Sequence, residues 1–182
     1  GKTINHTEHR SALHTALRNI NNYPIQVNQK NVMDEVNRET LKFTDFIRLF
    51  DHGTATKNFT NITDIVNIGI GGSETGPHLL IEALAPYKKN NLNLHFVANL
   101  DGYVLEELLK KIKPQQTLFF ISSKSFTTQE TLANAEALRQ WFKQTTGEQN
   151  TWQEYFYAIT ACADKAMSFG ISPENIFTFA DW

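Results

Sequence analysis

Five short runs of β-branched and aromatic residues punctuate the chain, at 65–70, 92–98, 117–122, 156–161 and 176–179. Each is nearly continuous in apolar side chains rather than alternating, the pattern of a parallel strand covered on both faces. Between the runs, apolar residues return at helical spacing. Leu79, Leu80, Ala83 and Leu84 form one stripe, Val104, Leu105, Leu108, Leu109 and Ile112 a second, and Leu132, Ala135, Leu138 and Trp141 a third. Strand, helix, strand, repeated, predicts a doubly wound α/β sheet with helices on both faces. In such folds ligands sit beyond the carboxyl ends of the strands.

The first fifty residues follow another pattern. Leu13, Ala16, Leu17 and Ile20 predict a short helix, and Val36, Phe43, Phe46, Ile47 and Phe50 a longer one. Residues 21–31, "NNYPIQVNQKN", read as the loop between them. No strand is predicted there, so these helices are expected to pack on the sheet or belong to an adjoining region. This divides the chain into a helical segment, 1–52, and the α/β unit, 53–182.

Composition narrows the function classes. A chain of 182 residues, 41% hydrophobic and 20% charged, can bury a real core as one domain. A net charge of −2 with both signs interspersed argues against a nucleic-acid or membrane-surface partner. The apolar runs are strand-sized, too short to span a bilayer. Gly1-Lys2-Thr3 leads into polar residues, so no signal peptide is expected. The single cysteine, Cys162, leaves no internal disulfide and fits a reducing compartment; within "FYAITACA" it reads as a small buried residue.

The segment "IGIGGSETGP" at 68–77 holds four of the nine glycines. A dinucleotide fingerprint counted from Gly69 fails at its sixth position, where Glu74 stands. A triphosphate loop counted from Gly71 reaches Gly76 but then meets Pro77-His78 in place of Lys and Ser/Thr. A tight strand-to-helix turn remains, with Pro77 suited to the first helical turn. Backbone N–H groups and the Ser73 hydroxyl can hold an anion there, or Ser73 or Thr75 can simply cap the helix.

A second polar helix start follows the third strand. Ser123, Lys124, Ser125, Phe126, Thr127 and Thr128 precede "QETL", and Thr127 with Glu130 has capping-box spacing. Hydroxyls, an ammonium group and free N–H groups at one helix start suit a phosphomonoester; a heavily capped helix with a solvated Lys124 is the plainer alternative. Two such starts at strands one and three would be neighbours in a flavodoxin-like strand order.

The segments "NIGIGGSETGP" and "ISSKSFTTQETLANAEALRQWF" closely resemble the glucose-6-phosphate isomerase (phosphoglucose isomerase) family. "EHRSALHTALRN", "NLDGYVLEELLKKIKP" and "FGISPENIFTFADW" resemble it too, so the likeness covers essentially the whole chain in order. It implies the family's first sugar-isomerase (SIS) domain, a five-stranded parallel sheet flanked by helices. It also implies substrate contacts, chiefly to phosphate, from Gly72, Ser73, Ser123, Lys124, Ser125, Phe126, Thr127 and Thr128, with Lys124 acting through its backbone and charge. Two departures stand out: Ser125 where the family usually has Thr, and Glu74-Thr75 in place of Asp-Leu. Both leave the hydroxyl or acid in place.

The resemblance implies interconversion of glucose 6-phosphate and fructose 6-phosphate through a cis-enediol, in a cytoplasmic homodimer that uses no cofactor or metal. The family's glutamate base, arginine, histidine and lysine have no match here and are expected beyond Trp182, so no catalytic residue is assigned within the chain. Glu130 reads as a cap partner, and His6, His9, His14, His52, His78 and His95 show no metal spacing; only His78 lies near the proposed site. The expectation is therefore the phosphosugar-binding domain of an isomerase, inactive alone. The alternative is a stand-alone SIS-type phosphosugar sensor; "SKSFTTQET" favours the isomerase. A dehydrogenase is disfavoured by Glu74.

Overall fold

The computed structural model describes residues 2–5, 10–51, 61–88, 91–149 and 151–182. His6, His9, His52 and the expected boundary at 52/53 lie outside them. The N-terminal region contains strands after all: β1 (Lys2–Asn5) pairs antiparallel with β2 (Arg10–Ala12), and β3 (Gln26–Val27) with β4 (Lys30–Asn31). The second hairpin falls inside the expected loop and turns through Asn28 and Gln29, both at positive φ. Two left-handed central residues give the twist that a two-residue hairpin needs. The Asn31 side chain fixes the exit, accepting from the N–H groups of Ile25 and Met33. The predicted short helix is a 3-10 turn, His14–Arg18, with only Ala16 buried.

The long helix α1 (Val32–Asp51) precedes β5 (Asp64–Ile68), α2 (Gly72–Ala83), β6 (Asn93–Val97) and α3 (Gly102–Leu109). Next come β7 (Thr117–Ser122), α4 (Gln129–Thr146), β8 (Phe156–Thr160), α5 (Ala163–Phe169) and β9 (Ile176–Thr178). Strands β5 to β9 form one parallel sheet in the order β6-β5-β7-β8-β9, as the apolar runs predict. The order reverses between β5 and β7, which places the ligand crevice of a doubly wound sheet at their carboxyl ends.

Successive side chains of the central strands point to opposite faces, so each face has its own cover. Phe46 of α1 meets Phe120, Tyr157 and Phe177 edge-on at 5.1–6.0 Å. On the other face Phe119 and Phe156 stack at 4.5 Å, and Phe142 of α4 packs edge-on against Phe156. α1 also covers the outer rim of β9: Glu39 accepts from the Thr178 N–H at 3.1 Å, and Lys42 Nζ donates to the Ile176 carbonyl at 2.6 Å. The stripe predicted on α2 is reversed in use. Leu79, Leu80 and Leu84 are 56–68% exposed, and the helix instead presents Pro77 and Ile81 to an apolar cavity over the sheet. Cys162 is half-buried against the core rather than fully enclosed.

At the amino end of β5, buried Asp64 accepts hydrogen bonds from Thr63 Oγ1 (2.6 Å), His95 Nε2 (2.8 Å) and Asn93 Nδ2 (3.2 Å). Burial alone would raise its pKa. The three hydrogen bonds and the charge of His95 outweigh burial and hold the carboxyl below its ordinary 3.8. A lowered carboxyl pKa stabilises the fold above the unfolded value, about 3.9, and that stability is lost as pH falls through the folded value. The gap in unfolding free energy between the natural chain and Asp64→Asn should therefore be full at pH 5 and shrink toward pH 2. Urea unfolding at stepped pH measures it, and a pH-independent gap would contradict the assignment.

Candidate phosphate-binding site

The loop after β5 is short because two glycines do separate jobs. A Cβ on Gly69 would lie 2.9 Å from the Ser122 carbonyl oxygen and 2.9 Å from Ser73 Cβ. Gly71 holds φ 59° and ψ −126°, a conformation that an L side chain resists. α2 then starts at Gly72, so Pro77 lies inside the helix and not in its first turn. A proline there has no N–H for the carbonyl one turn back. That carbonyl, of Ser73, accepts instead from Asn67 Nδ2 at 2.9 Å. Proline is tolerated because a strand side chain replaces the missing donor.

The loop after β7 departs from its predicted capping box. Phe126 adopts φ 50° and is 3% exposed, its ring set edge-on to Phe169 at 6.0 Å. After this left-handed step the helix cap is Thr128, one residue later than expected, and it makes no side-chain cap bond. Thr127 is exposed, with its hydroxyl 2.7 Å from Ser125 Oγ. Thr128 Oγ1 lies 3.4 Å from Ser123 Oγ. No cap side chain takes the first N–H groups of α4, which leaves them as donors toward an anion.

The two loops enclose a cavity of about 230 Å³. Of the residues singled out in the sequence, Ser73, Ser123, Lys124, Ser125 and Thr128 line it, together with Ile70, Ser122 and Thr131. Gly72, Phe126 and Thr127 are outside the lining. Phe126 is a core side chain, so any contribution it makes is through loop shape. Thr131 is the residue that sequence reasoning missed: it is 1% exposed, and its Oγ1 has no hydrogen-bond partner in the protein. Its three-residue spacing from Thr128, which puts both on one face of α4, was the available signal.

Among the described residues Lys124 is the one charged side chain in the cavity lining, and its ammonium lies 3.9 Å from the Asp181 carboxylate. No carboxylate lines the cavity among the described residues. The Lys124 ammonium donates to the Asp181 carbonyl at 2.8 Å, so it is held at the rim by the C-terminal segment. Its own carbonyl accepts from Thr160 Oγ1 and the Ala161 N–H, fastening the loop to β8. Lys165 Nζ donates to the Ser125 carbonyl at 3.2 Å. Glu74, half-buried, is engaged by His78 at 2.9 Å and by Thr75, and these hydrogen bonds keep its pKa below the ordinary value. His78 stacks on Phe96 at 4.4 Å and is outside the cavity lining.

A larger cavity of about 520 Å³ lies between α1, α2 and the sheet. It is walled chiefly by apolar side chains such as Phe46, Phe50, Ile65 and Phe120, and no set of charges converges on it. Among the described residues, no three His, Cys, Asp or Glu side chains gather as metal ligands. No described helix is long and apolar enough to cross a membrane.

A family model described as "Phosphoglucose isomerase" matches residues 1–182. The chain belongs to the phosphoglucose isomerase family. It is 48% identical over 184 residues to a glucose-6-phosphate isomerase of Buchnera aphidicola subsp. Schizaphis graminum, an alignment covering 100% of this chain and 33% of that protein. Another, from Buchnera aphidicola subsp. Acyrthosiphon pisum (strain 5A), has the same identity and coverage. The crystal structure of a glucose-6-phosphate isomerase from Chlamydia trachomatis superposes with a TM-score of 0.76 at 28% identity, covering 96% of this chain and 32% of that one. The chain thus spans about a third of the length of the curated relatives it matches. Membership in the phosphoglucose isomerase family agrees with the resemblance carried by "NIGIGGSETGP" and "SSKSFTTQET".

Proposed function

We propose that this chain supplies the phosphate-binding part of a glucose-6-phosphate isomerase, which interconverts glucose 6-phosphate and fructose 6-phosphate in the cytoplasm. The observation that carries the reading is the hydroxyl-lined cavity at the switch point of the sheet, with the unpartnered Thr131 hydroxyl at its wall. Ser73, Ser123, Ser125, Thr128 and Thr131 offer hydroxyls, and the start of α4 offers backbone donors. Each hydrogen bond to a charged phosphate contributes about 1.5–3 kcal/mol before ordering costs. With no carboxylate among the described residues of the lining, these residues bind and orient; the groups that move the proton between C2 and C1 belong to other parts of the isomerase. The exposed Leu79 and Leu80 of α2, with Leu84 at its C-cap, support an apolar contact surface in a homodimer.

An amide NMR titration of the chain tests the reading, with glucose 6-phosphate, fructose 6-phosphate, inorganic phosphate and glucose as ligands. Both sugar phosphates and phosphate should shift residues 71–75 and 123–128 with millimolar affinity, about −4 kcal/mol at 1 mM, while glucose shifts neither. Thr131→Val should weaken phosphate binding yet raise stability by about 1 kcal/mol, because it removes a buried hydroxyl that has no partner in the free protein. Absence of shifts from both sugar phosphates, or equal shifts from glucose, would sink the proposal.

A further inference from the structure

The Ser73 carbonyl, left without a helical donor by Pro77, receives the Asn67 Nδ2 at 2.9 Å, and Asn67 Oδ1 accepts from Ser122 Oγ at 2.7 Å. A backbone oxygen only accepts, so the nitrogen of the Asn67 amide must face Ser73, which turns its oxygen to the Ser122 hydroxyl. Asn67 lies on β5, Ser73 in the first turn of α2, and Ser122 ends β7 beside Ser123. One half-buried side chain therefore connects the two halves of the candidate phosphate cavity. Asn67 is itself outside that cavity: it lines the larger apolar cavity, while Ser73 and Ser122 line both. The relay forms the polar wall between the two spaces.

We propose that Asn67 is the positioning residue of the phosphate site, a bridge that sets the spacing between the Ser73 and Ser123 hydroxyls through hydrogen bonds to the Ser73 carbonyl and the Ser122 hydroxyl. The proposal rests on the phosphosugar reading above and adds a part to it. No other side chain can replace the bridge simply. It needs one donor and one acceptor on a short planar group, aimed in opposite directions from a strand whose neighbour β7 is in fixed register, Asn67 opposite Phe120. An aspartate at this position keeps the shape and the acceptor for Ser122, but it sets a carboxylate oxygen against the Ser73 carbonyl. The loop after β5 then moves away from the loop after β7.

The test uses Asn67→Asp, Ser122→Ala, Asn67→Asp with Pro77→Ala, and the remote core variant Leu138→Ala, each compared with the natural chain. Inorganic phosphate affinity of Asn67→Asp should fall tenfold or more, and Pro77→Ala should recover part of it by returning an N–H to the Ser73 carbonyl. Leu138→Ala should lower the unfolding midpoint without a matching loss of affinity. Equal phosphate affinity in Asn67→Asp and the natural chain overturns the proposal. So does a loss that Pro77→Ala leaves unrepaired and Leu138→Ala reproduces, since a general loss of stability explains both. If the natural chain binds no phosphate, the functional reading fails, and the bridge is judged from ligand-free spectra. Amide shifts of residues 72–75 caused by Ser122→Ala would then uphold it, and unmoved signals there would overturn it.

Discussion

Gly69→Ala should destabilise the chain by about 1–3 kcal/mol and abolish phosphate binding, although it adds a single methyl group. Gly69 is buried and its N–H donates to the Val97 carbonyl at 3.1 Å, so β6 holds it from one side. The new methyl would press on the Ser122 carbonyl oxygen and on Ser73, at 2.9–3.1 Å. The carbonyl and the Ser73 oxygen are backbone, and neither can swing aside like the tip of a long side chain. Relief comes only by parting β5 from β7 or by lifting the first turn of α2, and each widens the candidate phosphate cavity. Gly76→Ala, in the same motif, should do the opposite. A Cβ there meets nothing within 4 Å, and alanine in a helix interior gains about 0.5–1 kcal/mol over glycine. Urea unfolding of the two variants beside the phosphate titration separates the cases. An unchanged unfolding midpoint in Gly69→Ala would refute the steric account.

Phe126→Ala should cost about 3–5 kcal/mol, the range for emptying a buried phenylalanine site. Its ring is 3% exposed against Phe169, and it anchors the loop that presents Ser123, Ser125 and Thr128. Phosphate affinity should fall as well, with no phosphate contact removed. Phe126→Gly discriminates further. Glycine normally costs more than alanine because its unfolded chain is freer, but at φ 50° it also releases strain of about 1–3 kcal/mol. The glycine variant should therefore be no less stable than the alanine variant. If glycine proved the worse of the two by more than about 1 kcal/mol, the left-handed step would carry no strain worth the name.

The sheet was legible because its strands are buried on both faces, so apolar continuity marks them directly. The run at 117–122 coincides with β7, and the others agree with their strands to within two residues at either end. Both site loops were legible for a related reason: each joins such a run to a helix start rich in hydroxyls. What escaped depended on distant partners. Pro77 reads locally as a first-turn residue, yet it is inside α2 because Asn67, on a strand, supplies the donor that proline removes. The Thr127–Glu130 pair has the right spacing for a cap, but Phe126 takes a left-handed conformation to bury its ring, and the helix begins later. Periodicity also reports that a helix has an apolar stripe, not that anything within the chain covers it. Leu79, Leu80 and Leu84 show the difference. The N-terminal hairpins, with strands of two to four residues in polar sequence, offered no run to detect.

Glu39 and Lys42 give the sheet a direction of growth. The groups they occupy on β9 are the ones an incoming strand would use, an N–H and a carbonyl two residues apart. An acceptor and a donor from a helix thus reproduce one rung of a missing ladder, and a foreign strand would have to displace both charged groups before it could pair. Within the five-stranded sheet of the described residues, at most the β6 margin is left for edge-to-edge addition. A particle with one adhesive margin can join a second copy and then stop, whereas one with two can polymerise without limit. Lys42 and Glu39 therefore act as chain terminators for this sheet: edge-to-edge growth of the five-stranded sheet would end at two molecules.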